Sequence, residues 1–235
     1  MRAVIFDWGG TLTPWLSMDQ AAAWRAYLAE LYSEDQAERV EELVAGLLAA
    51  EDAAWLRVRD DHRAFTVAQV LAAAGVASDE AALLAYRTFW EPATLTHPDV
   101  VPVLGALRER GLRIGLLSST AWPRDWHEDV LRRDGAFELF DACVWSSDLE
   151  WTKPHPEAFR AAMSAVGVDD PADCVFVGDR PFDDISGAKA VGMRAVLVPH
   201  SDIPLHEQVP VTVTPDAVIN RLTDLLPLVD RWAAG

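Results

Sequence analysis

Five short apolar runs limit how this chain can fold more than any other feature: AVIF (3–6), LRIGLLSS (112–119), ACVWSS (142–147), CVFVG (174–178) and RAVLV (194–198). None alternates apolar with polar residues, so both faces of each strand are expected to be buried, as in a parallel sheet. Parallel neighbours need a crossover of a dozen or more residues, and helix signals stand between the later runs. Pro98 marks the first turn of a helix ending at Gly111, and a second helix is expected near residues 123–134. Pro154 opens a third, closed by Gly167, and a fourth runs from about Pro181 to Gly192. The expectation is an α/β protein with a five-stranded parallel sheet.

Residues 14–97 read differently, with no clear strand and several capped helices. Ser33 with Gln36 has capping-box spacing, and Val40, Leu43, Val44, Leu47 and Leu48 follow on one helical face. Thr66 with Gln69 repeats the signal and Gly75 stops it, while Ser78 begins a further helix that ends before Pro92. The organisation expected is a core domain of residues 1–13 and 98–235 interrupted by a helical domain of residues 14–97.

A composition of 51% apolar and 24% charged residues in 235 fits a soluble globular protein. No apolar run reaches the roughly 18 residues of a membrane span, and MRAVIFD lacks a signal-peptide core, so a cytoplasmic address is expected. Cys143 and Cys174 lack metal-ligand spacing and read as reduced core thiols. The net charge of −17, with no local basic patch to override it, argues against nucleic-acid and membrane partners, and a monomer or homodimer is expected. If the substrate is an anion, a bound divalent cation is the obvious neutraliser.

Open parallel sheets bind ligands at the carboxyl ends of their strands. The residues there are Asp7, then Ser118 and Ser119, then Lys153, then Asp179 with Asp183 and Asp184. Singly, each has an ordinary explanation: an acid before Gly-Gly makes turns, a lysine before proline is solvated, and an aspartate caps a helix. Together, at one edge of one sheet, a carboxylate, a hydroxyl, an ammonium and an acid cluster describe a site.

The stretches VIFDWGGTL, GLLSST, TKPHPEAF and VFVGDRPFDDISGAKAVGM resemble the four motifs of the haloacid dehalogenase superfamily, most of whose members are magnesium-dependent phosphatases. The resemblance implies a doubly wound sheet of order 3-2-1-4-5, with residues 14–97 as a helical cap. It implies a small phosphorylated substrate and Asp7 as nucleophile, since a carboxylate attacking phosphorus divides a hard hydrolysis into two displacements. Mg2+ would be held by Asp7, Asp179 and the carbonyl of Gly9, with Asp183 and Asp184 acting through water or fixing the ligands. Ser118 and Ser119 would contact phosphoryl oxygens, Lys153 would offset charge, and backbone N–H groups of Gly9, Gly10 and Thr11 would cradle the phosphate.

Gly9 departs from that pattern. Phosphatases of the superfamily carry a second Asp there, which protonates the leaving alcohol and then activates water, work worth roughly 10²–10⁴ in rate. Three accounts stand open. Proton transfer comes from elsewhere, for instance from Asp60, Asp61 or His62; or the leaving group needs no acid; or the chain is a binding or regulatory module that keeps the fold and the metal site. Relatives that cleave carbon–phosphorus bonds have a small residue here but use a cap lysine, and residues 14–97 contain none. Relatives acting on haloacids usually carry an aromatic residue and dispense with magnesium, whereas here the acid cluster is retained. A second, smaller departure is Ser119, where many relatives have Asn.

Of ten tryptophans, Trp8, Trp122, Trp126, Trp145 and Trp151 lie beside the motif loops. They are expected either to pack the core and domain interface or, with Trp15, to line an aromatic mouth. His127 and His155 are also near the motifs, and His155, within KPHPEAF, reads as a helix-start residue.

Overall fold

The computed structural model describes residues 1–199 and 209–234. Strand β1 is Ala3–Phe6, after which helices α1 (Gln20–Ala29), α2 (Ala37–Asp61), α3 (Val67–Ala73) and α4 (Glu80–Phe89) precede any other strand. Then α5 (Val100–Glu109), β2 (Arg113–Ser118), α6 (Arg124–Arg133), β3 (Ala142–Trp145), α7 (Pro156–Ala165), β4 (Cys174–Gly178), α8 (Gly187–Val191) and β5 (Arg194–Leu197) alternate, closed by β6 (Ala217–Val218) and α9 (Leu225–Ala234).

The sheet is parallel in the order β3-β2-β1-β4-β5-β6. The expected order holds for the first five strands, and β6 is an addition at the edge. Two residues are too few to show a periodicity, and β6 is held mostly by its flank. Asp216 N–H donates to Ala195 O at 2.8 Å, and its carboxylate accepts from Ala195 N and from Lys189 Nζ, both at 2.8 Å.

Within each strand, successive side chains enter opposite layers. Val4, Phe6, Ile114, Leu116, Val175 and Val177 pack against α5 and α9, while Ala3, Ile5, Leu117 and Phe176 pack against α7 and α8. On α5 the inward stripe is Val100, Val103, Leu104 and Leu107, spaced i, i+3, i+4, i+7 and all buried, each contributing about 1.5–3 kcal/mol of burial. A third apolar cluster, Trp24, Tyr27, Leu28, Leu47, Leu71 and Tyr86, joins α1 to α4 and reaches Trp126 of α6.

Local signals behaved unevenly. At Thr66 the box forms, with Gln69 N–H donating to the Thr66 hydroxyl at 3.2 Å and Thr66 N–H to the Gln69 amide oxygen at 2.9 Å. Ser33 and Gln36 also form a box, with Ser33 N–H donating to the Gln36 amide oxygen at 3.2 Å, but it opens a 3-10 turn ahead of α2 rather than α2 itself. Asp79 rather than Ser78 caps α4, accepting from Ala82 N at 3.0 Å. Pro154 does not start α7: residues 152–155 make a turn, His155 Nδ1 accepts from Glu157 N at 3.3 Å, and Pro156 is the first helical residue. Pro181–Ser186 is one wide π-type turn before α8, closed by Ile185 N–H to Arg180 O at 3.3 Å.

Candidate active site

The parallel register brings the ends of β1, β2 and β4 to one edge, where Phe6 lies beside Leu116 and Val177. Asp7 leaves β1 there, buried, with its N–H still bonded to Val177 O at 2.9 Å. The chain then turns around the Trp8 carbonyl, which accepts from Leu12 N at 2.8 Å and from Thr11 N at 3.3 Å. Gly10 permits that turn twice over: its φ is +83°, and a Cβ there would fall 2.4 Å from Asp179 Oδ2. Gly9 is under neither constraint, since a Cβ there would meet nothing within 4 Å.

Thr11 joins the site by its side chain, not its N–H. Its hydroxyl lies 3.1 Å from Asp7 Oδ2 and 3.3 Å from Asp179 Oδ1, donating to one at a time. The N–H expected to cradle phosphate is directed at Trp8 O instead.

Lys153, only 2% exposed, places Nζ 2.5 Å from Asp7 Oδ1 and 2.6 Å from Asp184 Oδ1. Its position depends on the preceding residue: buried Thr152 donates its hydroxyl to Ser119 Oγ at 2.6 Å and its N–H to His62 O at 3.0 Å. Ser119 therefore holds the Lys153 loop. Ser118, buried at the end of β2, completes the row.

Asp184 turns back into the site from the wide turn. Its Oδ2 accepts from Arg180 N at 2.9 Å, and Gly178 makes room for it, since a Cβ there would fall 2.3 Å from the Asp184 carboxyl carbon. Asp7, Asp179 and Asp184 present carboxylate oxygens within 4.8 Å of one another, all three residues buried. Burial pushes the Asp184 carboxyl up to about 6 against the pull of Lys153. Burial also disfavours the Lys153 ammonium, but Asp184 and Asp7 together outweigh it and hold the charge firmly. Asp183 lies outside this trio, partly exposed, with Oδ2 3.7 Å from Arg180 Nη1.

The trio suits a hard divalent cation: three carboxylates face one ammonium in a dry site, and an unbalanced buried charge is costly.

The tryptophans divide between packing and rim. Trp8, Trp126 and Trp145 are buried, and His127 stacks on Trp145 at 4.3 Å and meets Trp8 edge-on at 4.6 Å. Half-buried Trp122 bridges this group to Trp90 of the helical cluster, at 6.2 Å. Trp15 lies under Arg180 at 4.8 Å, and Trp151 is sandwiched between Arg63 at 3.9 Å and His155 at 4.0 Å. Asp60 and Asp61 are exposed at the end of α2, with Asp60 taken up by Arg59 at 2.9 Å. His62 alone of that group turns toward the sheet edge.

Sequence reasoning missed Thr152 and the Thr11 hydroxyl, although both sit inside quoted motifs. Each acts through a partner distant in sequence or in a turn whose geometry the letters do not show.

A family profile described as haloacid dehalogenase-like hydrolase matches residues 1–192. The glyceraldehyde 3-phosphate phosphatase of Methanopyrus kandleri is 33% identical over 153 residues, covering 65% of this chain and 64% of that protein. A phosphatase of Mycobacterium tuberculosis is 30% identical, covering 70% of this chain and 68% of its own length. Among solved structures, the 2-haloacid dehalogenase of Pseudomonas syringae pv. Tomato superposes with a TM-score of 0.64 at 28% identity over 99% of both chains. The chain spans from 40% to 68% of the length of these and similar curated relatives. It belongs to the haloacid dehalogenase-like hydrolases.

Proposed function

We propose that the protein is a divalent-metal-dependent phosphatase of small phosphorylated compounds, with Asp7 as nucleophile and residues 14–97 as a cap over the site. The observation that carries this reading is the buried trio Asp7, Asp179 and Asp184 around a single ammonium, Lys153. A site that must admit a phosphate has no use for three carboxylates unless a cation joins them, and haloacid cleavage by a lone carboxylate would not require the other two.

Asp7, Asp179 and Asp184, with the carbonyl of Gly9, would hold Mg2+, which supplies the positive charge between phosphate and carboxylate. Asp7 attacks phosphorus, the P–O bond breaks with its electron pair on the leaving oxygen, and an acyl phosphate forms on Asp7. Water then attacks that phosphorus, releasing inorganic phosphate and restoring the carboxylate. Lys153 holds the Asp7 carboxylate in place through its 2.5 Å contact, and Ser118 donates to a phosphoryl oxygen. The fit of the phosphate-named relatives supports the class and leaves the alcohol portion open.

The test is phosphate release from aryl, acyl and alkyl phosphates with Mg2+ and after its chelation, beside Asp7→Asn. Release that needs both Asp7 and the metal is expected. Halide release from 2-chloropropionate with no phosphate release would overturn the assignment.

A further inference from the structure

We propose that His62, arriving from the end of α2, supplies the proton transfer that Gly9 cannot, donating from Nε2 to the leaving oxygen. The inference rests on the phosphatase reading above and adds the residue that reading lacks.

Four observations bring His62 to the edge of the site. It has φ of +55°, the one positive value among described residues other than glycine. Glycine or asparagine would end α2 at less cost, so the residue at this left-handed cap is not set by backbone conformation alone. Its carbonyl is clamped by Thr152 N–H at 3.0 Å, next to the lysine that touches Asp7. The clamp extends into a short antiparallel contact, with Ala64 N–H bonded to Glu150 O at 3.1 Å and Arg63 bridged to Trp151. The ring then lies 6.2 Å from Phe182, next in chain to Asp183 and Asp184. Finally, Nδ1 is 3.1 Å from Val58 O, and because a carbonyl only accepts, Nδ1 carries a proton in both charge states. Nε2 is therefore the nitrogen that gains and loses a proton.

The charged and titratable groups around the ring are Asp183 on the wide turn, His155 ahead of α7, and Arg63 beside it in the chain. Asp183 feels the charges of Arg180, Lys153, Asp7 and His62, and His155 feels those of His62 and Arg63, so the ring shares its surroundings with both. The cycle balances. As Asp7 bonds to phosphorus, the leaving oxygen takes the P–O electron pair and the Nε2 proton, and the alcohol departs. Neutral Nε2 then takes a proton from the water that attacks the acyl phosphate, which restores both the imidazolium and the Asp7 carboxylate.

The experiment compares the parent, His62→Asn, His62→Gln, Gly9→Asp and the double variant His62→Asn/Gly9→Asp with Mg2+. It reads kcat/KM against leaving-group pKa, from 4-nitrophenyl to alkyl phosphates, and against pH. Asn is chosen because it tolerates the left-handed conformation. The expected result is a loss of roughly 10²–10⁴ on alkyl phosphates but less than about tenfold on 4-nitrophenyl phosphate, whose leaving group needs no acid. The same variants should lose the alkaline limb of the kcat/KM profile, and Gly9→Asp should restore alkyl turnover in the His62→Asn background. Release of nitrophenol in the first turnover, which precedes the water step, reports that each variant is folded. An equal loss across the series, or none, with release still dependent on Asp7, would overturn the role of His62 and leave the phosphatase reading standing. No Asp7-dependent release from any ester would overturn both.

Discussion

Lys153→Met tests the electrostatics of the site directly. The ammonium is 2% exposed and lies 2.5 and 2.6 Å from two buried carboxylates, so its removal leaves like charges facing each other without water. Methionine has nearly the same length, which makes the change one of charge more than volume. Breaking a buried ion pair from one side costs about 3–5 kcal/mol, and that is the stability loss expected at pH 8 without metal. The pH dependence has a definite sign. Without Lys153, the Asp184 carboxyl, already pushed up by burial, loses the cation that lowers it and rises further in the folded state, so the folded variant holds a proton that the unfolded chain releases. Its deficit therefore grows as pH rises and shrinks on acidification, by up to about 1.4 kcal/mol for each pH unit over which one carboxyl titrates. Mg2+ should stabilise the variant more than the parent, with about 2.7 kcal/mol regained at a hundredfold excess over Kd. Urea unfolding at pH 5 and pH 8, with and without Mg2+, measures all of this. A loss equal at both pH values and indifferent to Mg2+ would refute the picture of a desolvated, charged trio.

Other consequences are as concrete. His127 is fully buried among Trp8, Trp122 and Trp145, and burial, helped by Arg87, pushes its imidazole down to about 3. The unfolded chain takes up that proton below about pH 6.5 while the fold does not, so acidification to pH 4.5 should cost about 3 kcal/mol, a slope that His127→Gln removes in matched unfolding curves. Gly10→Ala should destabilise by more than about 1 kcal/mol and weaken metal binding by calorimetry, because the new Cβ meets Asp179 in a left-handed backbone, whereas Gly9→Ala should leave both within error.

The separation between Gly9 and Gly10 also shows what could be read from the letters. Asp7, Ser118 and Asp179 were legible because each ends or directly follows an apolar run, and Lys153 and Asp184 because they lie in the segment just beyond one; a parallel sheet delivers such residues to one edge. The layered core was legible for the same reason. The edge strand Ala217–Val218 was not, since two residues carry no period and the Asp216 contacts with Lys189 and Ala195 are not local. Pro154 misled because proline at a helix start and proline in a turn read alike, and His155 decides between them. The DDHR group could be recognised as charged but not oriented. The pairing of residues 62–64 with 150–152 ties the His62 backbone to Thr152, beside Lys153, while Asp60 and Asp61 stay exposed. The tryptophans fell between two uses because packing and mouth-lining draw on the same residue type. Trp8 and Trp145 went to the core, and Trp15 and Trp151 to stacking with arginines at the rim.

The account stands on Asp7 as the atom donor to phosphorus, and the most direct measurement is a rapid acid quench during turnover of an aryl phosphate with Mg2+, followed by mass spectrometry of the peptide that contains Asp7. The account predicts a phosphoryl group on that residue, lost in Asp7→Asn together with turnover. Steady turnover by Asp7→Asn, with no phosphoryl group on the parent peptide, would contradict it.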